Sequence, residues 1–251
     1  MKIALVLSGG AARGGFHLGV IEALLEKGFQ IEAVSGSSIG ALIGTSLSAG
    51  IAPKEQLKIF KSKAFKKSLK FNGLKKGLLR VEEKTKILKK LIPIENLEDG
   101  NFKVHITTID LSSGEIVRFH KGKAIPLCVA STSVIPLFKP ISYESYQLVD
   151  GGIMDNLPLT PLKQYNLPIV AIDLHPKEYG FKDSMWGILK RAVFLMWRAS
   201  VQGQIKECDY YITNQKLENY SLFSFKKLDE MFELGYQTAL KHPLLQNKSM
   251  E

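Results

Sequence analysis

A serine held between two glycines, Gly36-Ser37-Ser38-Ile39-Gly40, interrupts the chain between a short apolar run and a helix of small residues. Upstream, Ile31-Glu32-Ala33-Val34-Ser35 reads as a buried strand. Downstream, residues 41–49 (Ala-Leu-Ile-Gly-Thr-Ser-Leu-Ser-Ala) read as a helix. Strand, sharp turn and helix together form a nucleophile elbow, in which the middle serine sits on a strained turn with its hydroxyl exposed. Gly36 and Gly40 occupy the positions where a Cβ would collide with the neighbouring strand or helix. Ser38 is therefore the candidate nucleophile.

The rest of the chain supplies a sheet for that elbow. Residues 3–7 read as a strand, followed by a glycine-rich turn and a helix over 15–26. Residues 102–109 and 116–119 read as strands joined through Ser112-Ser113-Gly114, a hairpin signal. A helix is expected over 123–132, and a short strand over 146–149 that ends at Asp150-Gly151-Gly152. Residues 169–174 form an apolar run of the kind found in buried parallel strands. A long helix over 184–205, a strand over 210–213 and a helix over 225–241 complete the chain. Strands alternating with helices predict an α/β fold, with a mostly parallel sheet and helices on both faces. No repeat, low-complexity tract or linker divides residues 1–251, so a single domain is expected.

Composition narrows the class. A hydrophobic fraction of 45% with 23% charged residues is that of a globular chain rather than a disordered one. The apolar run at 3–7 is too short for a signal peptide, and no run approaches the ~18–20 residues of a spanning helix. Cys128 and Cys208 lack metal-like spacing and read as two buried thiols in a reducing compartment. A cytoplasmic protein is expected, one able to visit a membrane surface. The net charge of +10 is concentrated between Lys54 and Lys90, where 14 Lys and Arg face three acidic residues. There Leu57, Phe60, Ala64 and Phe71 recur at helical spacing among lysines, Asn72-Gly73 breaks the run, and residues 81–91 repeat the mixture. Two solvated helices covering one end of the core are the plain expectation, and attraction to anionic lipid is the functional one. No nucleic-acid motif or aromatic platform accompanies the lysines.

The loop Ser8-Gly9-Gly10-Ala11-Ala12-Arg13-Gly14-Gly15 lies between the first strand and the first helix. It lacks the Gly-Lys-Ser/Thr of a phosphate-binding P-loop and the glycine spacing of a dinucleotide fingerprint. A tight turn and an oxyanion hole remain. Backbone N–H groups at a helix start point at developing negative charge, and the helix dipole adds to them. A base for Ser38 has two candidates. His175 lies just past a strand end and could complete a Ser38, Asp150, His175 order, although a lone histidine there is more often a surface or structural residue. Alternatively Asp150 is itself the base, with Gly151 and Gly152 letting the chain turn tightly beside the serine.

Three motifs, Gly9-Gly10-Ala11-Ala12-Arg13-Gly14, Gly36-Ser37-Ser38-Ile39-Gly40 and Asp150-Gly151-Gly152, occur in an order and spacing that resembles the patatin-like phospholipase family. Ala130-Ser131-Thr132-Ser133-Val134-Ile135-Pro136 and the continuation Ile153-Met154-Asp155-Asn156-Leu157-Pro158 extend the resemblance, which covers about residues 3–215. It implies a three-layer α/β/α sandwich and a Ser–Asp dyad without histidine. By it Ser38 is the nucleophile, Asp150 the proton acceptor, and Gly9, Gly10, Ala11, Ala12, Arg13 and Gly14 the oxyanion loop. Lipid acyl esters, phospholipids or lysophospholipids, are the implied substrates. No metal or other cofactor is called for. Burial of Asp150 is expected to raise its pKa so that it can serve as a base near neutral pH.

Ala11 departs from the family's usual glycine, adding a methyl group and restricting positive φ. A thioesterase or small-ester esterase on the same scaffold, or a lipid-binding protein without turnover, are the alternative functions. Residues 185–197, apolar around most of the helix, read first as a core helix. A homodimer face or a wall for an acyl chain are the functional readings of the same stretch.

Overall fold

The computed structural model describes residues 1–68, 81–135, 138–177, 180–181, 183–222 and 224–246. Its sheet is organised around β1 (Lys2–Leu7), a strand apolar on both faces and buried from Ile3 onward. Ile3, Leu5 and Leu7 enter one core, while Ala4 and Val6 enter the other, the period-two alternation of a central strand. The remaining strands are β2 (Gln30–Ser37), β3 (Lys103–Asp110), β4 (Glu115–Phe119), β5 (Ile141–Tyr143), β6 (Tyr146–Asp150), β7 (Ile169–Ile172) and β8 (Tyr210–Ile212). Their pairings run in the chain β5-β6-β3-β2-β1-β7-β8, each strand hydrogen-bonded to the next, with β4 also on β3. The β3-β2-β1-β7-β8 portion is parallel. The hairpin signal at Gly114 is realised as the antiparallel β3–β4 pair, and β5 and β6 are likewise antiparallel. Strand β5 carries too few residues to have left a mark in the sequence pattern.

Two layers of unequal thickness cover this sheet. Helices α1 (Gly14–Glu26), α2 (Ile39–Ser48), α6 (Ala124–Ser131) and α8 (Leu228–Leu240) pack on the face of Leu5 and Leu7. Helices α1 and α8 cross closely because each carries a glycine at the crossing. A Cβ on Gly19 would lie 1.9 Å from the Phe232 carbonyl oxygen, and one on Gly235 would lie 2.2 Å from that of Phe16. The opposite face is covered more thinly. Leu157, Leu159 and Leu162 contribute there, together with Val201 from the end of α7 (Met185–Gln202). The α/β class with helices on both faces, expected from the strand–helix alternation, is what the chain adopts.

The basic segment forms α3 (Pro53–Lys61), α4 (Lys63–Ser68) and α5 (Val81–Leu91) rather than two helices. Ser62 is extended, with φ −62° and ψ 147°, which breaks the helical register. Phe65 instead of Ala64 is therefore the next buried position, joining Leu57, Phe60, Ile87 and Leu91 in the core. Phe71 and Asn72-Gly73 lie outside the described residues. A second correction concerns the helix expected in the core at 185–197. Its Met185, Ile188, Leu189, Leu195 and Met196 are exposed, and only its inner side is covered. Of the two thiols, Cys128 is buried and Cys208 half-buried. A short helix, α9 (Pro243–Gln246), follows the break at the end of α8.

Candidate active site

Strand β2 turns into α2 at Ser38, whose φ of 52° and ψ of −123° lie outside the regions that side chains favour. The two flanking glycines make that turn passable. A Cβ on Gly36 would lie 2.5 Å from the carbonyl carbon of Gly40, and one on Gly40 would lie 2.2 Å from the carbonyl oxygen of Leu7. The elbow is held from below by α6. The Ser38 N–H donates to Ser131 Oγ at 2.9 Å, and the Ser131 hydroxyl donates to the Thr107 carbonyl at 2.8 Å. Strain of this kind persists only where the surroundings over-determine it.

Asp150 reaches Ser38 through an irregularity of the sheet. Residues 103–107 of β3 pair with β2, and residues 108–110 pair with β6. Strand β4 pairs with 106–110, overlapping both, so β2 and β6 share the opposite edge of β3. They run toward each other along that edge. Ser37 faces Thr107 and Asp150 faces Thr108, so the carboxyl ends of the two strands meet head-on. The Asp150 side chain accepts from the Gly152 N–H at 2.7 Å, and its own N–H donates to the Ser133 carbonyl at 3.1 Å. Burial pushes its carboxyl up to about 6, against the opposing effect of hydrogen bonds from the Ser38 hydroxyl and Gly152.

The glycine loop divides by role. Gly9, Gly10 and Ala11 line the same cavity as Ser38, Asp150 and Gly152, whereas Ala12, Arg13 and Gly14 do not. The Ala12 N–H is taken by the Leu222 carbonyl at 2.9 Å and that of Arg13 by Gly10 at 3.0 Å; Gly9 donates to Asn156 at 3.2 Å. Gly10 and Ala11 N–H groups donate to no backbone acceptor among the described residues. The Arg13 guanidinium is a strut, donating to the Tyr220 and Leu174 carbonyls at 2.9 and 3.0 Å. Ala11 adopts φ 47°, the left-handed region that a glycine would enter without strain.

His175 is neither a surface residue nor one remote from the site. It is buried, lines the cavity, and packs its ring against Trp197 and Phe194. The Asn156 amide nitrogen lies 3.1 Å from its Nδ1. That nitrogen can only donate, so Nδ1 accepts and the ring proton sits on Nε2, an assignment made from the network. Behind the ring, Asp173 accepts from the Arg198 guanidinium at 2.8 Å and the Tyr211 hydroxyl at 2.7 Å. Burial alone would raise the Asp173 carboxyl, but hydrogen bonds from the Tyr211 hydroxyl and the His175 backbone N–H help to hold it below its ordinary value. Arg198 also donates to the His175 carbonyl at 2.8 Å, tying α7 to the end of β7. The reading of the sequence gives Asn156 and Ser131 no individual role, although both lie inside the family-like runs. Trp197 belongs to the 185–197 stretch for which a wall for an acyl chain is one functional reading, and it lines the cavity.

The cavity around Ser38 measures about 40 Å³ and opens at the carboxyl ends of β1, β2 and β7, where parallel sheets generally bind ligands. A larger cavity of about 220 Å³ sits at the other end of β2 and β3, lined by Glu32, Glu98, Lys103 and His120. None of the residues singled out from the sequence lies there. Among the described residues no group of three or more His, Cys, Asp or Glu is arranged to hold a metal, and no helix is long and apolar enough to cross a membrane.

Comparison with known proteins agrees with this geometry. The chain is 30% identical over 182 residues to an uncharacterised NTE family protein of Mycobacterium tuberculosis, covering 71% of this chain and 51% of that protein. It is 28% identical over 284 residues to lysophospholipase NTE1 of Mycosarcoma maydis, covering 96% of this chain but 15% of that protein. The chain thus spans about half or less of the length of these curated relatives. The crystal structure of VipD from Legionella pneumophila superposes with a TM-score of 0.59 at 16% identity, over 98% of this chain and 67% of that one. The match to the family model described as patatin-like phospholipase runs over residues 5–163, the span that holds the loop, the elbow and Asp150: the chain belongs to the patatin-like phospholipase family.

Proposed function

We propose that the protein is a serine acyl hydrolase of lipid esters working through Ser38 and Asp150. The observation that carries this reading is the head-on meeting of β2 and β6 on β3, which brings a strained, cavity-facing serine to a buried carboxylate. Ser38 Oγ attacks the ester carbonyl carbon and its proton passes to the Asp150 carboxylate. The N–H groups of Gly10 and Ala11 stabilise the resulting oxyanion, with the start of α1 behind them. Collapse of the intermediate breaks the ester C–O bond, and the departing alcohol takes the proton from Asp150. Water then attacks the acyl-serine, delivers its proton to Asp150, and releases the fatty acid as Ser38 recovers its hydrogen.

A carboxyl titrating at about 6 is a far better base at neutral pH than an ordinary aspartate. A structural role for His175 rather than that of base is supported by the contact of its Nδ1 with the Asn156 amide and by its packing on Phe194 and Trp197. Lipid esters, rather than thioesters or small esters, are favoured by the family and by the lysophospholipase among its relatives. The test is hydrolysis of a short p-nitrophenyl ester and of a lysophospholipid by the wild type, Ser38→Ala, Asp150→Asn and His175→Ala. Loss of at least a thousandfold in the first two, with His175→Ala within about tenfold of wild type, is the expected outcome. A His175→Ala protein as inactive as Ser38→Ala would refute the dyad.

A further inference from the structure

Among the described residues, the outward face of helix α7 carries no polar side chain over most of its length. Met185, Ile188, Leu189, Ala192, Leu195, Met196 and Ala199 recur at intervals of three and four residues, and all seven are exposed. Met185 is 81% exposed and Met196 57%. Soluble surfaces rarely leave a contiguous apolar stripe of this kind uncovered. The opposite side of the helix carries the contacts that fix it: Phe194 and Trp197 against His175, Arg198 on Asp173, and Val201 in the sheet core.

The stripe adjoins the candidate active site. Trp197 lines the cavity of Ser38, and α7 packs on the turn after Asp150 (Gly151–Ile153), whose neighbour Met154 is itself 47% exposed. Within α7 itself (Met185–Gln202) the charged residues are all basic. Arg198 is taken by Asp173, and Arg191 lies on the flank of the stripe, its guanidinium 5.3 Å from the Phe194 ring. Asp183 and Glu207 lie beyond the two ends of the helix. Two copies joined along this helix would set Arg191 of each against a helix without an acidic side chain. A bilayer containing anionic lipid offers acyl chains to the stripe and phosphates to its flank, the arrangement of an interfacial amphipathic helix.

We infer that the outward face of α7 docks the protein on an anionic membrane surface, setting the mouth of the Ser38 cavity against the bilayer. In assigning this role to a lipid hydrolase the inference rests on the proposed function, but its test does not. Ser38→Ala protein is sedimented with vesicles of phosphatidylcholine alone and with about one third phosphatidylglycerol. The same is done for Leu189→Glu and Met196→Glu in that background, each checked for an unchanged melting temperature. Gln202→Glu, on the same helix beyond the stripe, controls for added negative charge.

The expected result is binding to the anionic vesicles that falls at least tenfold in each stripe variant and less than threefold in the control. Absence of binding by the parent protein overturns the inference, as does binding that survives both stripe substitutions, whether carried by residues 54–90 or elsewhere. It is also overturned if sedimentation equilibrium finds a dimer that these variants dissolve while vesicle binding is unchanged, since a second copy then covers the face. Failure of the hydrolase reading would appear in the ester assay alone, because the vesicle assay uses protein without the nucleophile.

Discussion

Replacing Asp150 by asparagine should stabilise the protein, and by an amount that depends on pH. The wild-type carboxyl titrates at about 6 in the fold against 3.8 for the ordinary group. A shift of that size corresponds to about 3 kcal/mol of unfavourable interaction with the charged form. The sign follows from proton binding. Between pH 3.8 and 6 the unfolded chain has released this proton while the native state retains it, so stability falls as pH rises. The cost to the wild type is small at pH 4, grows through pH 5 and 6, and levels off at about 3 kcal/mol above pH 7. The asparagine side chain carries no charge, keeps an oxygen to accept the Gly152 N–H, and escapes this loss.

Urea denaturation of both proteins at pH 4, 5, 6 and 8 measures the effect. The difference in unfolding free energy should grow by about 2 kcal/mol from pH 4 to pH 8, equivalent to a shift of several degrees in melting temperature. Other groups cancel in that difference. His17, which burial lowers to about 4, acts in the opposite direction, stabilising both proteins as pH rises from its folded value to 6.5. Any constant offset from the altered contact with Ser38 cancels from the slope. A stability difference that stays flat from pH 4 to 8, or that favours the wild type increasingly at high pH, would refute the claim that burial poises Asp150.

Ser131→Ala should leave the Ser38 N–H without its acceptor, costing about 1–3 kcal/mol of stability. It should lower kcat with little change in KM, and equal kcat would show that the elbow does not depend on α6. Gly19→Ala sets a methyl group against the Phe232 carbonyl. Forcing α1 and α8 apart should cost several kcal/mol, seen as loss of soluble protein or a large drop in melting temperature; an unaffected midpoint would contradict the close crossing. With a thiol reagent under native conditions, half-buried Cys208 should react first. Cys128, which burial pushes up to about 12, should react only on unfolding, and equal rates would contradict its burial.

The elbow, the alternation of strands and helices, and the Asp-Gly-Gly turn can be read from the sequence because each is written in a few adjacent residues. Gly36 and Gly40 are where the backbone leaves no room for a side chain, and period-two and helical patterns report which face of each element is apolar. The position of Ser38 and Asp150 in one cavity is expected from the sequence only through the resemblance to a family. Its physical cause is a long-range pairing, two strands sharing one edge of β3, which no local pattern encodes. The same holds for Ser131 beneath the elbow and for Asn156 fixing the His175 ring. Each interaction joins residues distant in the chain, and each depends on the sheet order. Helix α7 marks the boundary most sharply. Its composition is apolar nearly all round, which from sequence alone reads as a core helix. Among the described residues, Phe194, Trp197, Arg198, Ser200 and Val201 make its contacts with the body of the protein, and the other side is left outward. Hydrophobicity records what a residue would bury, and only the tertiary structure decides what is there to bury it against.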